Sequence, residues 1–242
     1  MHSLLRAIGV IGCCVAWAQA AAVCKKPVYL TLDTGHMEVA PLIAEVLQRH
    51  QVKVTFFAAD EASKTGDGSL GTHWAPWWKA RASEGHAFAS HTLDHVYWRA
   101  DLPDGRFQVR PSAGAQASQT QTWTSTEYCA ALDAASKRLH TLTGVAPLPL
   151  FRAPGGKTSA RLLEAARTCG YAHVGWAQAG FLGDELLSER FSNPQLLAKA
   201  FARHPAGRHL DGPSGHLVTQ RPVGARRAGA PDNRLASQGI LF

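Results

Sequence analysis

Cysteine, methionine and charge are all scarce in this chain of 242 residues. It carries five cysteines with no CxxC pair, and two methionines. That excludes a disulfide-dense small scaffold and a zinc ribbon. Asp, Glu, Lys and Arg make up only 18% of the residues, and mean hydropathy is −0.13, so this is not a chain kept unfolded by charge. Long apolar runs are lacking too. Ala7–Trp17, interrupted only by Gly9 and Gly12, is about eleven residues against the roughly 20 a membrane-spanning helix needs. A multi-pass membrane protein is excluded.

What is there is a length that supports one large domain and an excess of positive charge, +7 overall with a pI near 9.4. The excess is unevenly placed. Residues 201–242 hold six Arg against two Asp, so more than half of the net charge sits in the last forty or so residues. The rest of the chain is only mildly basic, and nucleic acid is not the expected partner.

Residues 1–20 read as a cleaved export signal: Arg6, then the apolar run, then Ala18-Gln19-Ala20 at the spacing of a signal peptidase site. A lipoprotein reading fails because Val23 stands where a small residue should precede Cys24. The expected location is periplasmic or secreted, with no stable membrane insertion after cleavage. Cys24, Cys129 and Cys169 then remain. An oxidising compartment permits one disulfide among them. Spacing does not say which pair forms, and three buried thiols are the alternative.

Along the mature chain, strands and helices alternate. Val28–Leu32 is a β-rich run stopped by Asp33-Thr34-Gly35, and Val39–His50 carries apolar residues at helical spacing. Val52–Phe57 reads as a strand, Trp74–Ser83 as a helix and His86–Ser90 as a buried strand. Asp101–Gln121, rich in Gly, Pro, Ser, Gln and Thr, is expected to be a long surface loop. Helices over Glu127–Leu142 and Arg161–Cys169 flank a strand leading into Arg152, and Tyr171–Trp176 is a further strand. Such alternation implies a parallel α/β fold. The strands end at Asp33, His91, Arg152 and Trp176, which a β/α barrel would gather on one face.

His91 and His95 lie four residues apart. If the segment turns into a helix, both imidazoles face one divalent metal. With a carboxylate at Asp33 and a guanidinium at Arg152 on the same face, the set suits metal-assisted hydrolysis. Asp33 would be the general base, and Arg152 would pair with it and orient it. Trp74, Trp77, Trp78 and Trp98 are candidates for stacking on sugar faces, with core packing as the alternative for the first three. His36 and Glu38 are expected in a solvated turn, and His86 packed beneath the site.

Four segments, in order, resemble the polysaccharide deacetylases, the NodB-homology group of carbohydrate esterase family 4. They are Thr31-Leu32-Asp33-Thr34-Gly35, Val54-Thr55-Phe56-Phe57, Glu84-Gly85-His86 running on to His91-Thr92-Leu93-Asp94-His95, and Arg152-Ala153-Pro154-Gly155-Gly156. The resemblance implies a distorted (β/α) barrel over residues 25–202 that removes acetyl groups from N-acetylated glycans. It implies Asp33 as base, Arg152 as its orienting partner, and His91 and His95 as ligands of a divalent metal, zinc being the expected ion. Trp176 and the stretch Gly180–Asp184 would wall the site, with Trp98 lining the groove.

Three departures from the family pattern stand out. The second metal-binding aspartate of the family is Thr34 here, a weaker ligand. Gly155 stands where an aromatic residue is common, leaving a backbone N–H but no wall. And residues 203–242 form an aberrant basic tail, Arg-, Gly- and Pro-rich, that reads like a GC-rich gene translated out of frame from near residues 202–207, a lineage-specific basic tail being the alternative. The barrel is therefore expected to lack its last β/α units and the histidine that serves the family as general acid. The competing readings are hydrolysis of a small amide or cyclic imide, and a non-catalytic glycan-binding protein.

Overall fold

The computed structural model describes residues 29–175, 189–203 and 216–219. Residues 1–20, read above as an export signal, with Cys24, Trp176, Gly180–Asp184 and most of the basic tail, lie outside the described residues.

Six strands form one parallel sheet in the order β8-β7-β3-β2-β1-β9. They are β1 (Tyr29–Asp33), β2 (Thr55–Ala58), β3 (Ala87–Ser90), β7 (Leu150–Phe151), β8 (Ala172–His173) and β9 (His216–Thr219). The sheet curls into a half-barrel covered by helices, the incomplete barrel the sequence implies. Register places Asp33 opposite Phe57 and Ser90 opposite Phe151, so the residues that follow each strand emerge at one rim. β9 is a finding against expectation. The stretch after His204 was expected to add no element, yet Leu217-Val218-Thr219, a β-favouring run, pairs in parallel with β1.

Helices α1 (Ala40–Arg49), α2 (Ala75–Ser83), α3 (Ser125–Thr143), α4 (Ala160–Thr168) and α5 (Asn193–Arg203) lie close to their expected bounds where expected. Their ends follow from local chemistry. Thr124 and Glu127 form a reciprocal capping box at the start of α3, and Gly144, at φ 74°, closes it in the left-handed region. Ser159 caps α4 through the Leu162 N–H. One face of the sheet, with Leu32, Phe56 and Phe88, packs on α1, α2 and the end of α3. Trp78 is wholly buried there and Trp74 nearly so, with Phe56 edge-on to Trp77 and Trp78. Trp74 and Trp78 are core residues, and Trp77 is partly buried against them. No helix among the described residues is long and apolar enough to cross a membrane.

The expected loop over 101–121 is instead part of a second, antiparallel sheet: β4 (Val96–Asp101), β5 (Phe107–Pro111) and β6 (Gln121–Trp123). Asp104-Gly105 makes its first turn, and Phe107 and Val109 alternate inward against Tyr128, Leu132, Phe151 and Leu162. Cys129 on α3 and Cys169 after α4 form a disulfide, with Cα atoms 6.1 Å apart.

Candidate active site

Arg152 follows β7, and its own N–H continues the ladder to Ser90 O at 3.0 Å. Its side chain crosses the half-barrel, wholly buried. Nη1 donates to Asp33 Oδ1 at 2.5 Å, Nη2 to Thr31 Oγ1 at 2.8 Å, and Nε to Val174 O at 3.0 Å. Thr31 and Asp33 are two apart on β1, so the strand's pleat aims both at the same guanidinium. The aromatic face of Phe57, from β2, lies 4.1 Å beneath it. One side chain thus joins β1, β2, β7 and the end of β8.

Because Arg152 takes Oδ1, the other oxygen of Asp33 is left over. Asp33 Oδ2 is buried without a hydrogen-bond partner and faces His91 Nε2 at 3.8 Å. His91 Nδ1 lies 2.8 Å from the Arg152 carbonyl. A carbonyl only accepts, so Nδ1 carries a proton, and Nε2 is the ring atom that faces Asp33.

The His91–His95 segment is not a helix. Thr92 and His95 take positive φ, 58° and 48°. The turn is held by Thr92 Oγ1, which accepts from Val96 N–H at 2.7 Å, by Leu93 N–H to Ala131 O at 3.1 Å, and by Asp60 N–H to Leu93 O at 2.6 Å. The two imidazoles nevertheless meet, with ring centroids 4.8 Å apart. The juxtaposition expected from helical spacing is reached by a strained turn. Other histidines have structural partners: His86 Nδ1 accepts from Val54 N–H at 3.1 Å, and Glu38 N–H donates to His36 Nδ1 at 3.2 Å in a turn.

Thr34, weighed as a metal ligand, has its hydroxyl committed elsewhere. Oγ1 accepts from Ala59 N–H at 2.8 Å and donates to Ala59 O at 3.2 Å. Trp98 is turned into the core beside Val96 and Phe107, its indole N–H on Asp101 Oδ1 at 3.1 Å. Its neighbour Tyr97, which the sequence reading passed over, is the aromatic at the histidines, edge-on to His95 at 4.9 Å. Gly155 sits in a left-handed turn at φ 64°, and a Cβ there would lie 2.8 Å from Tyr97 Cε1. Tyr97 fills the space a side chain at 155 would need.

Two further residues were not singled out from sequence. Glu61, 4% exposed, reaches within 3.8 Å of His95 Nδ1 through Oε1. His173, at the end of β8, packs on Phe151 and has a buried Nε2 without a hydrogen-bond partner. Burial, then the charge of Arg152, then His91, push its pKa down to about 4, so it adds no positive charge beside Arg152 at neutral pH.

Among the described residues no group of three His, Cys, Asp or Glu side chains is placed to hold a metal ion. What they offer a divalent ion is a two-histidine site. Two adjacent imidazoles and an orphaned carboxylate oxygen meet at the sheet rim.

The sequence profile of the polysaccharide deacetylases matches residues 20–174. A chitooligosaccharide deacetylase of Azorhizobium caulinodans is 26% identical over 151 residues, 62% of this chain and 58% of that one. The chain spans about half the length of the curated relatives it matches. In structure it is similar to the chitin deacetylase of Colletotrichum lindemuthianum, with a TM-score of 0.57 at 18% identity over 81% of this chain and 75% of that one. It is also similar to a family 4 pseudoenzyme of Bacillus anthracis, with a TM-score of 0.54 at 18% identity over 82% and 56%.

Proposed function

The chain belongs to the polysaccharide deacetylase family, and on that footing we propose that it is an exported, metal-dependent hydrolase of carbon–nitrogen bonds that removes N-acetyl groups from a glycan, a peptidoglycan or chitin-type polymer. The observation that carries this is the arrangement of Asp33, one oxygen held by Arg152 and the other aimed at His91.

His91 and His95 would hold a divalent ion, zinc in the first instance, which would supply Lewis acidity to the acetamide carbonyl and to water. Asp33 takes the proton of the attacking water at Oδ2, the oxygen Arg152 leaves open. Arg152 fixes that carboxylate's orientation from a buried position. Tyr97 provides the aromatic wall that Gly155 leaves out. The N-terminal apolar run supports export, and the Cys129–Cys169 bridge suits an oxidising compartment.

The test is acetate release from an N-acetylated chito-oligosaccharide and from peptidoglycan by the purified chain with added Zn²⁺. We expect release that falls by about 10²–10⁴-fold in Asp33→Asn and vanishes in His91→Ala. No release by the parent chain, or undiminished release by Asp33→Asn, overturns the proposal.

A further inference from the structure

We infer that Glu61 is a positioning residue for the metal site: its carboxylate, behind the Nδ1 edge of His95, holds that ring in the tautomer whose Nε2 lone pair can reach a divalent cation. The inference rests on the metal-dependent reading above.

Glu61 is brought to His95 by backbone bonds rather than by a motif. Asp60 N–H donates to Leu93 O at 2.6 Å inside the histidine turn. Glu61 N–H donates to Ser69 Oγ and Ser69 N–H to Glu61 O, both at 2.8 Å. The residue is thus pinned on both sides, and its carboxylate is buried. A buried carboxylate costs stability unless something in the fold uses its charge.

His95 has a need that His91 does not. His91 Nδ1 faces a carbonyl, which accepts only. His95 Nδ1 faces Ser112 Oγ at 2.6 Å, and a hydroxyl can accept or donate. If Ser112 donates to Nδ1, the proton of the neutral ring sits on Nε2 and the lone pair needed by a metal is gone. If it donates instead to His95 O, 3.3 Å away, Nδ1 keeps the proton. Glu61 Oε1, 3.8 Å from Nδ1, breaks the tie, because a negative charge there favours the N–H on its side.

Charge points the same way. The carboxylate of Asp33 is matched by the guanidinium of Arg152, and the hydroxyl of Thr34 brings none. Glu61 places a carboxylate 3.8 Å from the Nδ1 edge of His95, behind the hydroxyl of Ser112 that meets that nitrogen.

The test measures Zn²⁺ affinity of the full chain by competition with a chromophoric chelator, alongside the His95 tautomer from long-range ¹H–¹⁵N NMR of the metal-free protein. In the parent chain we expect one Zn²⁺ bound and His95 protonated at Nδ1. Glu61→Gln should bind Zn²⁺ about 10–100-fold more weakly and shift the His95 proton toward Nε2. Ser112→Ala, with Glu61 intact, should keep the Nδ1 proton and lose less affinity than Glu61→Gln, since the carboxylate that biases the ring remains. Glu61→Gln with parent-like affinity, or a parent His95 protonated at Nε2, overturns the role of Glu61 alone. A parent chain that takes up no Zn²⁺ overturns the metal-dependent reading, and this inference with it. Should Glu61→Gln fail to fold, the parent tautomer and Ser112→Ala still decide the matter.

Discussion

Replacing Arg152 by lysine tests the centre of the fold and the site together, independently of any substrate. The guanidinium is wholly buried and donates to Asp33, Thr31 and Val174 from three different nitrogens. A lysine ammonium keeps the charge but not the fork, and on its shorter reach it serves one of these acceptors. Val174 O and one of the β1 oxygens then lose this donor at buried or part-buried positions, at about 1–3 kcal/mol each. Weakening of the ion pair with Asp33 brings the total to about 3–5 kcal/mol, the range for breaking a buried pair. For a domain of this size about 2–4 °C of melting temperature is lost per kcal/mol, so Arg152→Lys should melt roughly 6–20 °C below the parent. The assay is thermal unfolding at neutral pH by circular dichroism. Adding Asp33→Asn to Arg152→Lys should cost less than the two separate losses combined, because each single change already breaks the same pair. A lysine variant melting within about 2 °C of the parent, or strict additivity with Asp33→Asn, would refute the three-way role given to this side chain.

Stability should also depend on pH in the mildly acid range. His173 has a folded-state pKa of about 4 against 6.5 as its ordinary value, so the unfolded chain binds a proton there first. Its contribution is fully present above pH 6.5 and is lost as pH falls through 4, and since the ring is only partly buried it amounts to about 1–3 kcal/mol. His173→Asn should flatten the urea-midpoint profile across that window; an unchanged slope would count against it. Burial pushes His86 down as well, so some slope should persist in the variant. The Cys129–Cys169 bridge spans 40 residues, for which chain entropy gives about 4 kcal/mol. Reductant should therefore lower the melting temperature by roughly 8–16 °C, and a melt unmoved by reductant would exclude the bridge.

How much of this was legible depended on what each feature asks of the chain. Asp33, His91 and Arg152 were readable because each stands where a β-rich run stops, and in a parallel sheet such ends share a rim. The second sheet was not. The Gly, Ser and Gln of residues 112–120 set the texture of the whole stretch, hiding the alternation of Phe107 and Val109 around the Asp104-Gly105 turn. That turn was the signal that would have found it. Trp98 was taken as a candidate while Tyr97 was passed over, and the deciding quantity is parity. β4 begins at Val96, facing the core, so Trp98 faces the core as well and Tyr97 faces the site. A one-residue error in phase exchanges the two faces. Glu61 carried no local signal at all, since only the folded loop, fastened by Ser69 and Leu93, sets it beside His95.

The two departures from the family pattern that fall within the described residues meet the same kind of answer. Position 155 lacks its aromatic side chain, and Tyr97 from β4 occupies that space. The two arrangements exclude each other: a Cβ at 155 would stand 2.8 Å from the tyrosine ring, on a backbone whose φ of 64° already disfavours any residue but glycine. Gly155 is therefore a requirement of Tyr97 and not simply a loss. Position 34 lacks its carboxylate, and its hydroxyl instead ties β1 to the residue after β2 through Ala59. On our assignment the negative charge returns through Glu61, displaced to the other side of a histidine ring. What the chemistry requires is an aromatic face at one place and negative potential at another, and neither is tied to a sequence position. Such exchanges are open to a fold whose site is assembled from the loops at one rim, because any of those loops can reach the same point. A motif count scores both positions as defects. On our assignment Tyr97 and Glu61 supply what the two positions lack, so neither departure by itself makes this site a relic.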